Sequence, residues 1–133
     1  MARTAITPTT LTINDATAAV YAAGTVVDAA LVTAGVVIED CPLEELILLV
    51  SHTASSEKDL TVAAGDSPPA LEAGVGALVE PFAAGNVTPV DKIVGPFTSG
   101  RFIQSGADAG SLFVDFEAGF TGFIRAFRVP RTA

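Results

Sequence analysis

The chain has 133 residues, half of them hydrophobic and 17% charged, with one Cys, one His and no Trp. That length fits one domain with its own core. Fifteen acidic residues against 7 basic ones, a net charge of −8, offer nucleic acid no clustered cationic surface, and a lone thiol forms no intramolecular disulfide.

The longest run of large aliphatics is residues 46–50, far below the ~20 apolar residues of a membrane-spanning helix. The excess apolar character therefore points to buried subunit interfaces and not to a membrane. Residues 1–12 are rich in Thr and hold Pro8, so they read as an extended arm. The expected division is an arm over 1–13 and a β-domain over 14–133. Met1-Ala2-Arg3-Thr4 opens no continuous apolar leader, so the chain is expected to fold where it is made.

The Ala-rich stretch 14–24 has Asn14 or Asp15 as a helix cap, but about ten residues make a marginal helix, and an extended or irregular segment is expected. Residues 25–28 and 36–39 are short β-branched runs separated by Ala-rich sequence and Gly35, consistent with two strands. Residues 45–53, ELILLVSHT, form the strongest central strand, with Leu46, Leu48 and Val50 on one face and Ile47 and Leu49 on the other. Apolar residues on both faces predict cover on both sides. Polar 54–58 then turns the chain, and 59–63 is predicted to be its hairpin mate, with Leu60 and Val62 facing one way.

Gly65, Pro68 and Pro69 open a loop that continues to residue 76. Residues 78–83 and 86–90 are strand candidates interrupted by Pro81 and Pro89, so sheet edges are expected. Residues 91–94, a turn at Gly95-Pro96 and residues 97–104 follow, then the small-residue loop 105–110.

Residues 111–130 carry five of the eight Phe. In the first arm Leu112, Val114 and Phe116 alternate with Ser111, Phe113 and Asp115, a period of two that marks a strand with one buried face. In the second, Phe123, Arg125, Phe127 and Val129 share one face and Gly122, Ile124, Ala126 and Arg128 the other. With a turn at Glu117-Ala118-Gly119-Phe120, the arms are predicted to pair as an antiparallel hairpin. The whole pattern, about eight or nine short antiparallel strands joined by Gly and Pro turns, is that of an all-β, single-domain β-sandwich of the jelly-roll type, and a barrel of similar size shares it.

Catalysis needs a base or nucleophile with an orienting partner, and the inventory is poor. His52 ends the 45–53 strand and reads as a partly exposed strand-end residue, not a general base. There is no G-x-S-x-G elbow, one Cys and one His cannot complete a zinc site, and Gly74-Val75-Gly76 lacks the Lys of a phosphate loop. Cys41, ahead of Pro42, reads as a small inert residue. Glu39, Asp40, Glu44 and Glu45 crowd that turn without EF-hand spacing, and read as a solvated acidic rim or a dock for basic partner residues. Asp115 and Glu117 mimic a glycosidase pair, yet no Trp provides a sugar platform. Arg125, Arg128 and Arg131 cluster, and ion pairing with a sheet neighbour or an acidic partner surface is expected of them. No enzyme, catalytic residue, metal or cofactor is expected.

The opening MARTAITPTTLT, the middle TVAAGDSPPAL, the segment GPFTSGRFIQ and the ending SLFVDFEAGFTGFIRAFRVPR resemble the small structural proteins of tailed bacteriophages, the head decoration or cement proteins. These pieces run from residue 1 to residue 131. The resemblance implies a β-rich homo-oligomer, here a trimer, on the outer surface of the capsid. Its partners would be the major capsid protein and further copies of itself, with neither nucleic acid nor membrane involved. Ala2, Arg3, Thr4, Ile6 and Leu11 in the arm are the interface candidates, with Phe113, Phe120, Ile124, Arg125, Phe127 and Arg128 in the C-terminal segment. On this reading Phe127→Asp prevents folding or assembly. A head-tail connector or tail component is the alternative within virion structure, and a carbohydrate-binding or adhesin-like sandwich is the alternative outside it.

Overall fold

Strand-forming sequence dominates the chain, and the computed structural model describes residues 3–11, 25–39, 41–64, 77–97, 102, 104 and 110–130. Among them are ten strands: β1 (Thr4–Ile6), β2 (Thr9–Thr10), β3 (Thr25–Val27), β4 (Val36–Ile38), β5 (Leu46–His52), β6 (Lys58–Val62), β7 (Leu78–Phe82), β8 (Val90–Val94), β9 (Leu112–Phe116) and β10 (Gly122–Arg128). One short helix, α1 (Ala29–Ala34), stands where the Ala-rich spacer between two strands was expected. Asp28 caps it by accepting from the Leu31 N–H at 2.9 Å. Gly35 ends it at φ 77°, where its own N–H donates to the Leu31 carbonyl.

The strands form two mixed sheets, so the protein is mostly β. The first has the order β1-β4-β9-β6-β7, and the second β2-β10-β5-β8 with β3 also on β10. Strands β3 to β10 pair with one another only antiparallel. The expected purely antiparallel pattern fails at the arm, where β1 runs parallel to β4 and β2 parallel to β10.

Both predicted hairpins are overturned. The arms of 111–130 do not pair with each other: β9 lies between β4 and β6 in the first sheet, and β10 pairs with β5 in the second. The turn between them is tight, with Phe120 N–H donating to Glu117 O at 3.0 Å and Gly119 at φ 94°. Its last residue, however, points into the core. Phe120 stacks on His52 at 4.5 Å and Phe116 at 4.7 Å, and meets Phe82 edge-on at 5.4 Å. An aromatic inserted between two strands drives them into opposite sheets. In the same way β6 is no mate of β5; it pairs with β7 and β9. Residues 86–90 are not a strand, and β8 begins only at Val90.

The inward rows follow the period-two pattern. Leu46, Leu48 and Val50 from β5, Leu112 and Val114 from β9, Leu60 and Val62 from β6, and Ile124 from β10 are all wholly buried in one apolar cluster. Each stabilises the fold by about 1.5–3 kcal/mol relative to exposure. Strand β10 approaches β5 so closely at Gly122, φ 140°, that a Cβ there would lie 1.9 Å from the Ser51 carbonyl oxygen.

The arm is stitched into its own chain. Its first piece extends the first sheet and its second extends the other, with Leu11 N–H donating to Arg128 O at 2.9 Å. At the opposite margin Lys92 of β8 reaches across to β7, with Nζ 2.6 Å from Glu80 Oε1 and 2.7 Å from Pro81 O. Edge position for the Pro81 strand is as expected.

Candidate interaction face

Alternation along the second sheet puts Ile47, Leu49, Ser51 and Thr53 of the β5 run on the side away from the core, all half-buried. The register sets Phe123 beside Ser51, Arg125 beside Leu49 and Phe127 beside Ile47 on one flank, and Asp91 beside Ser51 and Ile93 beside Leu49 on the other. Val26 adjoins Phe123 from β3. Of the six exposed large apolar side chains among the described residues, Val26, Ile93 at 69%, Phe123 at 39% and Val129 belong to this face or its continuation.

The face is dished. Ser51 and Thr53 are short, while Phe123 rises on one side and Pro89 with Asp91 on the other, enclosing about 450 Å³ together with Leu49 and Arg125. Ser51 Oγ donates to Asp91 Oδ1. Among the described residues Asp91 has no ion pair.

The outer side of the first sheet is built differently. Arg3 lies over it, with its guanidinium carbon 4.2 Å from the Phe113 ring centre and Nη1 2.8 Å from Asp115 Oδ1. Nη1 also reaches the carbonyls of Val36 at 3.3 Å and Val114 at 3.4 Å. Lys58 pairs with Glu117 at 3.9 Å nearby.

The residues singled out from the sequence are spread by the fold. Ala2 lies outside the described residues, as do residues 12–24, Asp40, residues 65–76, 98–101 and 105–109, and Arg131. Arg3 and Thr4 fasten the arm to the first sheet, Ile6 is buried, and Leu11 is half-buried beside β10. Phe120 and Ile124 are sealed in the core at 1% and 0% exposure and present no surface to a partner. Phe113 stands on the first face, while Arg125 and Phe127 are half-buried on the second. Arg128 pairs with Glu45 at 3.5 Å. Phe123, Ile93, Asp91 and Ser51 were not singled out. Only Phe123 carried a sequence signal, since it shares a face with Arg125 and Phe127.

His52 corrects its reading as partly exposed, because it is wholly buried. Its Nδ1 lies 2.9 Å from the Ala83 carbonyl and therefore carries the proton, which leaves Nε2 aimed into the aromatic cluster. Cys41 is buried, and desolvation pushes its thiol above the ordinary 9.0; Arg128 opposes this shift and Glu45 adds to it. Among the described residues no three His, Cys, Asp or Glu side chains gather to hold a metal. No described helix is long and apolar enough to cross a membrane.

No family model, curated protein or solved structure matches this chain.

Proposed function

We propose that the protein is a non-catalytic virion structural subunit that binds and stabilises an assembled capsid lattice from its outer surface, and that it does so as a homotrimer. The observation that carries this reading is the outer side of the second sheet, an apolar, dished surface formed by β3, β5, β8 and β10 and left open by the rest of the described chain. Contiguous exposed apolar surface of this kind marks an interaction site.

The fold proposed for it is the jelly-roll sandwich. Counting from β3, one sheet takes the first, eighth, third and sixth strands and the other the second, seventh, fourth and fifth, an interleaving that supports two interlocked Greek keys. The sequence resemblance to decoration proteins supports the partner, and burial of apolar strand faces against it would stabilise the complex by roughly 25 cal/mol per Å² before association costs.

The test is to add purified protein to capsid shells that lack it. Saturable uptake with hundreds of copies per shell, and resistance of the decorated shells to heat or chelator, is the expected result. No uptake rejects the proposal, and a copy number on the order of six or twelve would move the protein to a connector ring.

A further inference from the structure

The dish in the second sheet is a socket of defined chemistry, not a flat greasy patch. Leu49, Ser51 and Thr53 of the β5 run, Phe123 and Arg125 of β10, and Pro89 with Asp91 at the start of β8 line it, so one carboxylate and one guanidinium share the cavity. A flat apolar sheet laid across it would leave the ~450 Å³ unfilled, and an unfilled void forfeits the contacts that its lining atoms would otherwise make. A protruding side chain would fill it.

Charge narrows the occupant further. Arg3, Lys58, Lys92 and Arg128 are each engaged by a carboxylate of this chain. Asp91, by contrast, has no ion pair among the described residues and accepts from the Ser51 hydroxyl, although Arg125 also lines the cavity. That leaves an oriented anion beside an exposed aromatic ring, on a protein whose net charge is −8. Such a rim favours a cation from outside, through the carboxylate and through the face of Phe123.

We infer that the socket receives a protein loop from the partner lattice whose tip carries an apolar side chain next to a Lys or Arg, the apolar group seated between Phe123 and Pro89 and the cation paired with Asp91. This rests on the capsid-binding reading above and supplies its contact. The apolar knob provides the burial, and the rim pair fixes its orientation.

The experiment compares wild-type, Ser51→Trp and Asp91→Asn proteins for uptake by shells that lack the protein, at roughly 50 and 500 mM salt, with melting curves run alongside. Ser51→Trp fills the socket with indole and is expected to weaken uptake at least about tenfold at both salt levels. Asp91→Asn leaves the shape intact; uptake should fall several-fold at low salt and lose most of its salt dependence, while melting stays unchanged. Equal uptake of wild-type and Ser51→Trp protein, or a salt dependence untouched by Asp91→Asn, overturns the socket but leaves the capsid reading standing. Shells that take up no wild-type protein refute that reading itself. Release of bound wild-type protein by neutral oligosaccharide would make the dish a sugar site and would also overturn the inference.

Discussion

The two outer faces of this molecule are built from strands of similar pattern and finished in opposite ways. On the first sheet the apolar residue that alternation turns outward on β9, Phe113, is roofed by a guanidinium from the arm, which is itself tied to Asp115 and two backbone carbonyls. On the second sheet the outward residues of β10 and β8 have no such roof among the described residues: Phe123 is open and Ile93 is more than two-thirds exposed. The same intrachain device is available to both, since β2 lies against β10 as β1 lies against β4. The arm residue beside Phe127, however, is Thr9, too short to cover a ring. The contrast is why the second face, and not the first, carries the proposed contact.

The largest effect is expected beneath both faces. Phe120 joins β9 to β10 and fills the space shared by His52, Phe82 and Phe116, so Phe120→Ala should cost about 3–5 kcal/mol. Denaturant titration would measure it, and a loss below ~1 kcal/mol would mean that the arch is not held by this ring. Next comes the roof of the first face. Arg3→Ala removes a partly exposed ion pair and its stacking on Phe113, and after solvent screening is worth about 1 kcal/mol or less, shrinking as salt is added. Full stability of this variant at low salt would erase the contrast between the faces.

The second face should tolerate what the first does not. Ile93→Lys and Phe123→Ser are expected to change stability by no more than ~0.5 kcal/mol while abolishing self-association or shell uptake. Phe127→Asp sharpens the point. From sequence, Phe127 belongs to a core hairpin and the substitution is expected to prevent folding or assembly. In the structure Phe127 is half-buried on the outer side, opposite Ile47 and Thr9, so a folded, soluble Phe127→Asp protein that no longer binds shells is the outcome now expected. Collapse of the fold would return Phe127 to the core.

Alternation was enough to read which side of a strand is buried. Leu46, Leu48 and Val50, and likewise Leu112, Val114 and Phe116, are inward as their spacing requires. Partners were not legible, because a period of two describes a face and says nothing of the neighbouring strand. Phe120 shows why. In sequence it is a residue at the end of a Gly-containing turn, and only its insertion between the sheets turns a hairpin into a crossover. The candidate site suffered most from this. Arg125 and Phe127 were visible as companions on β10, but Ser51, Asp91 and Ile93 join them only through the β10-β5-β8 order, which pairs segments about seventy residues apart (β5 with β10) and about forty apart (β5 with β8) in sequence. His52 was misjudged for a related reason. Position at a strand end suggests exposure, yet the Phe82 and Phe120 rings close over it.

The smallest effect separates the faces from the interior chemically. Cys41 is buried, and desolvation raises its thiol above the ordinary value of 9.0, with Arg128 pulling the other way and Glu45 reinforcing the rise. A folded-state value above the unfolded one means that the native state holds the proton more tightly. Whatever stability this lends is fully present below pH ~9 and fades as pH climbs through the folded-state value. Native protein should therefore resist alkylation by iodoacetamide at pH 8, reacting at a small fraction of the rate seen in denaturant, because the thiolate is both scarce and shielded. Removing the Glu45 partner of Arg128 leaves that guanidinium freer to favour the thiolate, so Glu45→Gln should quicken the reaction modestly. An alkylation rate in the native protein equal to that of the unfolded chain would place Cys41 at the surface and make the acidic turn around it, not the second sheet, the next place to look for a contact.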